Sequence, residues 1–378
     1  MESNMEPQIE LEPLGDHDPR DAGPFHLRGR LRVGRVGRVF LGRSPDGRFT
    51  EVTVVDPQLA WEPRVLRLLT DGVEATRPVR VPHVQRLRGA DLRARAPWFA
   101  VDLLPGPTLR EAVERHGPLP PAVVRHLAAA LAGALEAVHA AGLVHRALDP
   151  STVVLTAQGP VLTGLGVARA LEETSVTLPR LVPDAVAYVP PEVVRGYEPG
   201  APADVFGLGA VLAYAATGRG PFGTGASGDL SRRVHQDDPD LAYLPGDLVE
   251  SVAACVRAAP GERPTAAALR RRLSAGTPGA WDLPAGLVAE LDRWEVLGRG
   301  RSAPLPPVLG ADPTERLGGP APGTGAAAPV SRPVSIVPRS DDRADVGPRR
   351  PAGLTVLLMV LAGVAAAGLA FAAVALGR

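Results

Sequence analysis

The apolar positions of this chain change period between its first and second hundred residues. From Phe25 to Val55 (FHLRGRLRVGRVGRVFLGRSPDGRFTEVTVV) apolar and polar residues alternate, as at Leu31, Val33, Val39 and Leu41, and resume at Val52, Val54 and Val55 after a Ser-Pro-Asp-Gly turn. A period of two sends successive side chains to opposite faces of a strand, so this stretch predicts a β-hairpin followed by a further strand. From Val123 to Val138 the apolar steps are three and four residues, and the run ends at Gly142. That pattern predicts a buried amphipathic helix with a glycine stop. Further helices are expected in PADVFGLGAVLAYAATG and in GERPTAAALRRRLS. Strands first and helices afterwards make the chain α+β.

The two ends read differently from the middle. Residues 1–22 carry Glu2, Glu6, Glu10, Glu12, Asp16, Asp18 and Asp21 against Arg20 alone. A secretory signal needs a basic start and an apolar run, so it is excluded, and residues 1–24 are expected to be an acidic disordered tail. Beyond residue 298 the chain is rich in Pro, Gly and Ala with almost no apolar period, which predicts a linker over 299–351. From Ala352 to Leu376 no charge occurs. A helix rising about 1.5 Å per residue over that run exceeds the roughly 30 Å hydrocarbon core of a bilayer, so a single transmembrane helix is expected over 352–376. Arg349 and Arg350 precede it, which by the positive-inside rule places the N-terminal domain in the cytoplasm. Gly363, Ala367, Gly368 and Ala372 recur at the spacing of a packed helix pair, so a homodimer through the span is compatible with the pattern.

Composition narrows the chemistry. The formal net charge is zero, so no basic field argues for nucleic acid. All 41 basic residues are arginine. Without lysine the chain has no Schiff-base former, no ammonium for a phosphate and no amine base. Cys255 is the one cysteine and sits in an apolar helical pattern, which makes it a core residue and excludes an intrachain disulfide. No His or Cys pair has metal-ligand spacing, so no metal site is expected.

A set of short motifs falls in a fixed order along the middle of the chain. Gly34, Gly37 and Val39 fit the second and third glycines and the Val of G-x-G-x-x-G-x-V. His145, Arg146 and Pro150 stand in VHRALDPSTVVL, Gly166 closes Gly-Leu-Gly, Pro191 and Glu192 lie in AYVPPE, Asp204 lies in ADVFGLG, and Arg263 lies in GERPTA. Over about Phe25 to Ser274 this order resembles the bilobal protein kinase fold, with a small β-rich lobe and a larger helical lobe. It is most similar to the bacterial Ser/Thr kinases of the actinobacterial type. The resemblance divides the chain into the tail, a kinase-like domain over 25–274, a helical extension over 275–298, the linker and the membrane helix. It also implies that His145, Arg146, Gly166, Pro191, Glu192, Asp204 and Arg263 shape the fold, with Glu192 pairing to Arg263 and Asp204 holding the loop backbone.

The same resemblance locates what is missing. Phosphoryl transfer needs a Lys on the phosphates, an Asp for the hydroxyl proton and two metal ligands. At those positions the chain has Thr53, Ala147, Thr152 and Gly164, with Asp149 reversing the charge of the Lys often found there. The helix Glu that would pair with the Lys falls at Gly72, with Asp71 or Glu74 as alternatives if the register slips. Glu51 replaces the small residue over the adenine ring and is expected to repel a nucleotide. Val39, Val101, Leu104 and Val154 can still line an apolar pocket.

The chain is therefore identified as a catalytically degenerate member, a membrane-anchored pseudokinase that works through protein contacts. Its expected partners are an active Ser/Thr kinase or that kinase's substrates, and no cofactor is expected. Two alternatives stay open. One is an active kinase using ATP and Mg²⁺ with relocated residues, Asp149 as base and Arg30, Arg32, Arg35 and Arg38 gripping an anion. The other is a non-catalytic nucleotide or ligand sensor. Thr174, Ser175 and Thr177 resemble activation-segment phospho-acceptors, with Arg146 as the residue to meet the phosphate.

Overall fold

The computed structural model of the protein describes residues 11–168, 170, 188–223, 233–234, 239–242, 244, 246–275 and 279–298. The first ten residues, Thr174, Ser175 and Thr177, and the linker and membrane helix expected after residue 298 lie outside them.

Six strands form one antiparallel sheet: β1 (Asp21–Ala22), β2 (Phe25–Val33), β3 (Gly37–Arg43), β4 (Phe49–Val55), β5 (Leu87–Asp91) and β6 (Trp98–Asp102), in the order β1-β2-β3-β4-β6-β5. Cross-strand partners share a face. Val39 stands opposite Thr53, which stands opposite Phe99, and Leu41 stands opposite Glu51, which stands opposite Val101. On that face Val55 and Phe99 pack with Val65, Leu69 and Val73 of helix α2 (Pro63–Thr76), which follows a single turn, α1 (Pro57–Ala60). The opposite face buries Phe25, Leu27, Phe40, Val52 and Trp98, with the Phe25 and Trp98 rings edge to face at 5.6 Å. The alternation read at Leu31 and Val33 does not carry through: β2 shifts register twice, and Val33 is exposed.

Residues 11–24 pack against the sheet, which corrects the expectation of a disordered tail for that part of the segment. Glu12 bridges Arg30, Leu11 lies against Gly29, and β1 adds an edge to the sheet. Asp18 is buried and accepts from the Gly15 N–H, from Arg30 at 2.9 Å and from Arg38 at 2.6 Å. Burial alone would raise its pKa. The three donors outweigh burial and hold the carboxyl below its ordinary value. Local composition reads as solvated because the partners that order it are arginines 12 and 20 residues ahead of Asp18.

The helical part is built around α4 (Pro121–Ala140) and α6 (Ala201–Thr217), with α3 (Leu109–His116), the hairpin β7 (Val153–Thr156) and β8 (Gly159–Leu162), and the single turn α5 (Pro191–Val194). Residues Ala203 to Ala215 of α6 are all buried, as expected of a helix apolar on every side. α7 (Gly246–Cys255) and α8 (Ala266–Ala275) close this core. α4 is long and apolar enough to cross a membrane by composition, yet it packs against α6 and α8 and buries Leu127, Leu131 and Leu135 completely.

After α8 the chain returns to the domain. The Trp281 indole donates to the Thr156 carbonyl at 2.9 Å and its ring meets His126 at 5.1 Å. In α9 (Ala285–Gly298), Leu287 and Leu291 enter the main core together with Leu283. Glu290, 1% exposed, lies 2.7 Å from His116 Nε2 and 2.9 Å from an Arg115 guanidinium nitrogen, both on α3. The extension is thus part of the core.

Candidate active-site cleft

Asp204 organises the loop that carries His145 and Arg146. Its buried carboxylate accepts from both their backbone N–H groups, at 2.8 and 2.7 Å, and from His139 Nε2 at 2.8 Å. Arg146 has φ +72°, a conformation that costs an L residue about 1–2 kcal/mol, and the two backbone bonds to Asp204 hold it there. His145 Nε2 reaches the Thr163 carbonyl at 2.8 Å, tying the loop to the strand that leads into Gly164. Gly207 of α6 allows this approach, since a methyl group on it would stand 2.8 Å from the Leu148 carbonyl oxygen.

Arg263 is buried and makes two bonds to Glu192, at 2.6 and 2.8 Å, with its remaining donors on the carbonyls of Pro202, Arg257 and Ala258. The Arg146 guanidinium meets the Glu198 carboxylate at 2.9 Å.

The cleft positions themselves are as follows. Thr53 is 4% exposed on β4, and Val39, Glu51 and Val101 share its face. Glu51 does not stand alone there: Arg32 clasps it with two bonds of 3.1 and 2.6 Å. The expected repulsion of a nucleotide by its charge is therefore offset, and what remains is a polar pair occupying the roof. Below, Ala147 places only a methyl group in the loop. The Thr152 hydroxyl is engaged by its own loop, accepting from the Asp149 N–H at 3.0 Å and donating to the Asp149 carbonyl at 2.9 Å. Val154 lies on β7, and Leu104 follows β6 in the connection between the two lobes. Both are partly buried.

Gly164 and Gly166 have φ +80° and +87°. Position 164 carries no side chain, so it offers no carboxylate where the resemblance expects one. Gly72 of α2 faces Gly166 backbone to backbone: a methyl group on Gly72 would lie 2.0 Å from the Gly166 carbonyl oxygen, and one on Gly166 would lie 2.5 Å from that of Gly72. Asp71 and Glu74 are exposed, and Glu74 pairs with Arg77 at 2.7 and 2.8 Å.

Sequence reasoning did not foresee the partners of the four arginines around the glycine-rich loop. Arg30 and Arg38 meet Asp18, Arg32 meets Glu51, and Arg35 reaches across the cleft to Asp149 at 2.9 Å. Each is matched to a carboxylate of the same chain. The sequence shows these acidic residues without any indication of which arginine each one meets.

Among the described residues no group of three His, Cys, Asp or Glu side chains is arranged to hold a metal ion. Cys255 is buried against Gly209, and burial pushes its thiol up to about 12. At a pH of about 8, near the ordinary range of a free thiol, iodoacetamide is expected to leave the native protein unmodified and to alkylate it once unfolded. Modification at the same rate in both states would refute that packing.

A β-rich lobe with α2 packed on its sheet, a helical lobe organised by a buried Asp, and a Glu192–Arg263 pair together define the protein kinase fold. The chain belongs to the protein kinase domain family, whose model matches residues 28–272. It is 43% identical over 269 residues to the probable serine/threonine-protein kinase PkwA of Thermomonospora curvata, covering 71% of this chain and 36% of that protein. It is 37% identical over 309 residues to the serine/threonine-protein kinase AfsK of Streptomyces griseus, covering 79% of this chain and 38% of that protein. The chain thus spans little more than a third of the length of these relatives. The crystal structure of Rad53 1-466 in complex with AMP-PNP shares the fold, with a TM-score of 0.56 at 19% identity over 66% of this chain and 64% of that one.

Proposed function

We propose that this protein is a pseudokinase, a regulatory or scaffolding module of the protein kinase family that works through protein contacts and does not transfer phosphate. The observation that carries this reading is the state of the cleft's two carboxylates. Asp149 and Glu51 are the acidic groups at the expected cleft positions, and each is ion-paired to an arginine of the N-terminal lobe. Asp149 is further engaged by the Ser151 N–H at 2.6 Å and by the Ser151 hydroxyl. A general base must be open to the hydroxyl it deprotonates, and a metal ligand must be open to the metal. Thr53, Ala147, Thr152 and Gly164 supply no charge to a phosphate or a metal, and the proposed role calls on neither ATP nor Mg²⁺.

The names of the relatives favour a second reading, an ATP- and Mg²⁺-dependent Ser/Thr protein kinase. The two separate in one experiment. Full-length protein is incubated with radiolabelled ATP, Mg²⁺ or Mn²⁺ and a generic protein substrate, and its thermal unfolding is followed over a nucleotide series. The expected result is no transfer and no concentration-dependent shift. Transfer that Asp149→Asn abolishes would establish the kinase reading. A thermal shift without transfer would instead support a nucleotide sensor.

Attachment to the cell membrane by residues 352–376, with the kinase domain cytoplasmic, is part of the proposal and rests on the uncharged run and on Arg349 and Arg350. So is protein partnership, with an active Ser/Thr kinase or its substrates as the partner class.

A further inference from the structure

Arg35 and Val36 are the two residues between Gly34 and Gly37, at the tip of the loop that in kinases covers the phosphates. They point to different places. Val36 is 5% exposed and joins the cluster of Val55, Val65, Leu69 and Phe99 under the sheet. Its carbonyl also accepts from the Asp56 N–H at 2.9 Å, and the Gly34 N–H donates to the Gly37 carbonyl at 2.8 Å, so the tip is a closed turn pinned from above. Arg35, half exposed, leaves that turn in the other direction and reaches Asp149, 114 residues later and in the other lobe. Asp149 is a rigid acceptor because its other oxygen is held by Ser151 and its backbone by Thr152.

We propose that the Arg35–Asp149 pair is a built-in latch that takes the place of a bound nucleotide, holding the glycine-rich loop down on the catalytic loop so that the cleft rests closed with nothing in it. The proposal rests on the pseudokinase reading and deepens it. In the kinases that this chain resembles, the position of Asp149 often carries a Lys, and the gap between the two loops holds phosphates. Here the lower loop presents an anion and the upper loop a cation, so the gap is bridged by the chain's own charges. The Arg32–Glu51 pair, both members on strands of the N-terminal sheet, occupies the roof over the adenine position without spanning the gap. A domain closed in this way presents one surface to a partner whatever the nucleotide supply. Asp149 is accordingly a positioning residue.

The test is amide hydrogen exchange on the full chain without nucleotide, comparing wild type with Arg35→Gln, Asp149→Asn and the double variant. Asn keeps an acceptor for Ser151, which separates loss of the latch from collapse of the lower loop. Each single variant is expected to speed exchange in residues 34–37 by roughly two- to fivefold, a modest figure because Arg35 is half exposed. The double variant is expected to exchange no faster than either single one. Raising ionic strength to about 1 M, which weakens a half-exposed ion pair through competing solvent ions, should loosen wild type and leave the variants unmoved. Unchanged exchange in the single variants, additive loosening in the double, or insensitivity of wild type to salt would overturn the latch. Since exchange is read without nucleotide, phosphate transfer by the wild type would remove the pseudokinase reading and leave the latch result standing.

Discussion

A chain ending at residue 274, close to the end of the family match at 272, is expected to be grossly unstable, whereas one ending at residue 298 folds. The shorter chain loses Leu283, Leu287 and Leu291, which are 8%, 0% and 3% exposed, and the Trp281 indole that donates to the Thr156 carbonyl. Each buried leucine is worth about 1.5–3 kcal/mol, so the loss is on the order of 5 kcal/mol or more against a typical total of roughly 5–15 kcal/mol. It also uncovers the connection between the lobes, where Gly106 lies against Leu155 and beneath Leu291. Thermal unfolding and soluble yield of the two chains provide the measurement. Equal melting temperatures would mean that the extension only decorates the surface.

Gly72→Ala should destabilise the domain, although alanine is the better helix former by about 1 kcal/mol. The added methyl group meets backbone, at 2.0 Å from the Gly166 carbonyl oxygen, and neither side has a flexible chain end to move. Overpacking of this kind costs roughly 1–3 kcal/mol and more when backbone must shift. A melting temperature lower by roughly 2–8 °C is the expected result. Asp71→Ala, one residue earlier and exposed, serves as the control and is expected to stay near wild type. If Gly72→Ala melted at or above the wild-type temperature, the close approach of α2 to Gly166 would be wrong. The contact has a functional side as well. A glutamate side chain at position 72, the kind that pairs with the kinase lysine, has no room while the helix stands here. The paired substitutions Gly72→Glu and Thr53→Lys would therefore have to displace α2 before they could form that ion pair.

Motif residues whose role is local or repeated were legible in the sequence. The ordered glycines, His145, Asp204 and the Pro191-Glu192 pair name the fold because each imposes a backbone shape or satisfies a fixed set of donors. The missing groups were equally legible, since Ala147 and Gly164 cannot carry a charge in any conformation. The ordering of residues 11–24 was not, because Asp18 is held by arginines on two other strands. The same holds for Glu51, read as a lone carboxylate facing the cleft and found clasped by Arg32.

By itself, then, the sequence determined the family, the order of the elements, the absence of lysine and the lack of a carboxylate at positions 147 and 164, all of which are properties of residue identity and spacing. Only the tertiary structure decided what fills the space those groups left. Ion pairs such as Arg35 with Asp149 form between residues far apart in the chain, and the number of possible matches among 41 arginines and 41 acidic residues is large. Burial, distance and the direction of each strand's side chains select among them. The approach of Gly72 to Gly166 was hidden for the same reason: a glycine records that a close contact is allowed, and only the fold supplies the backbone that makes it.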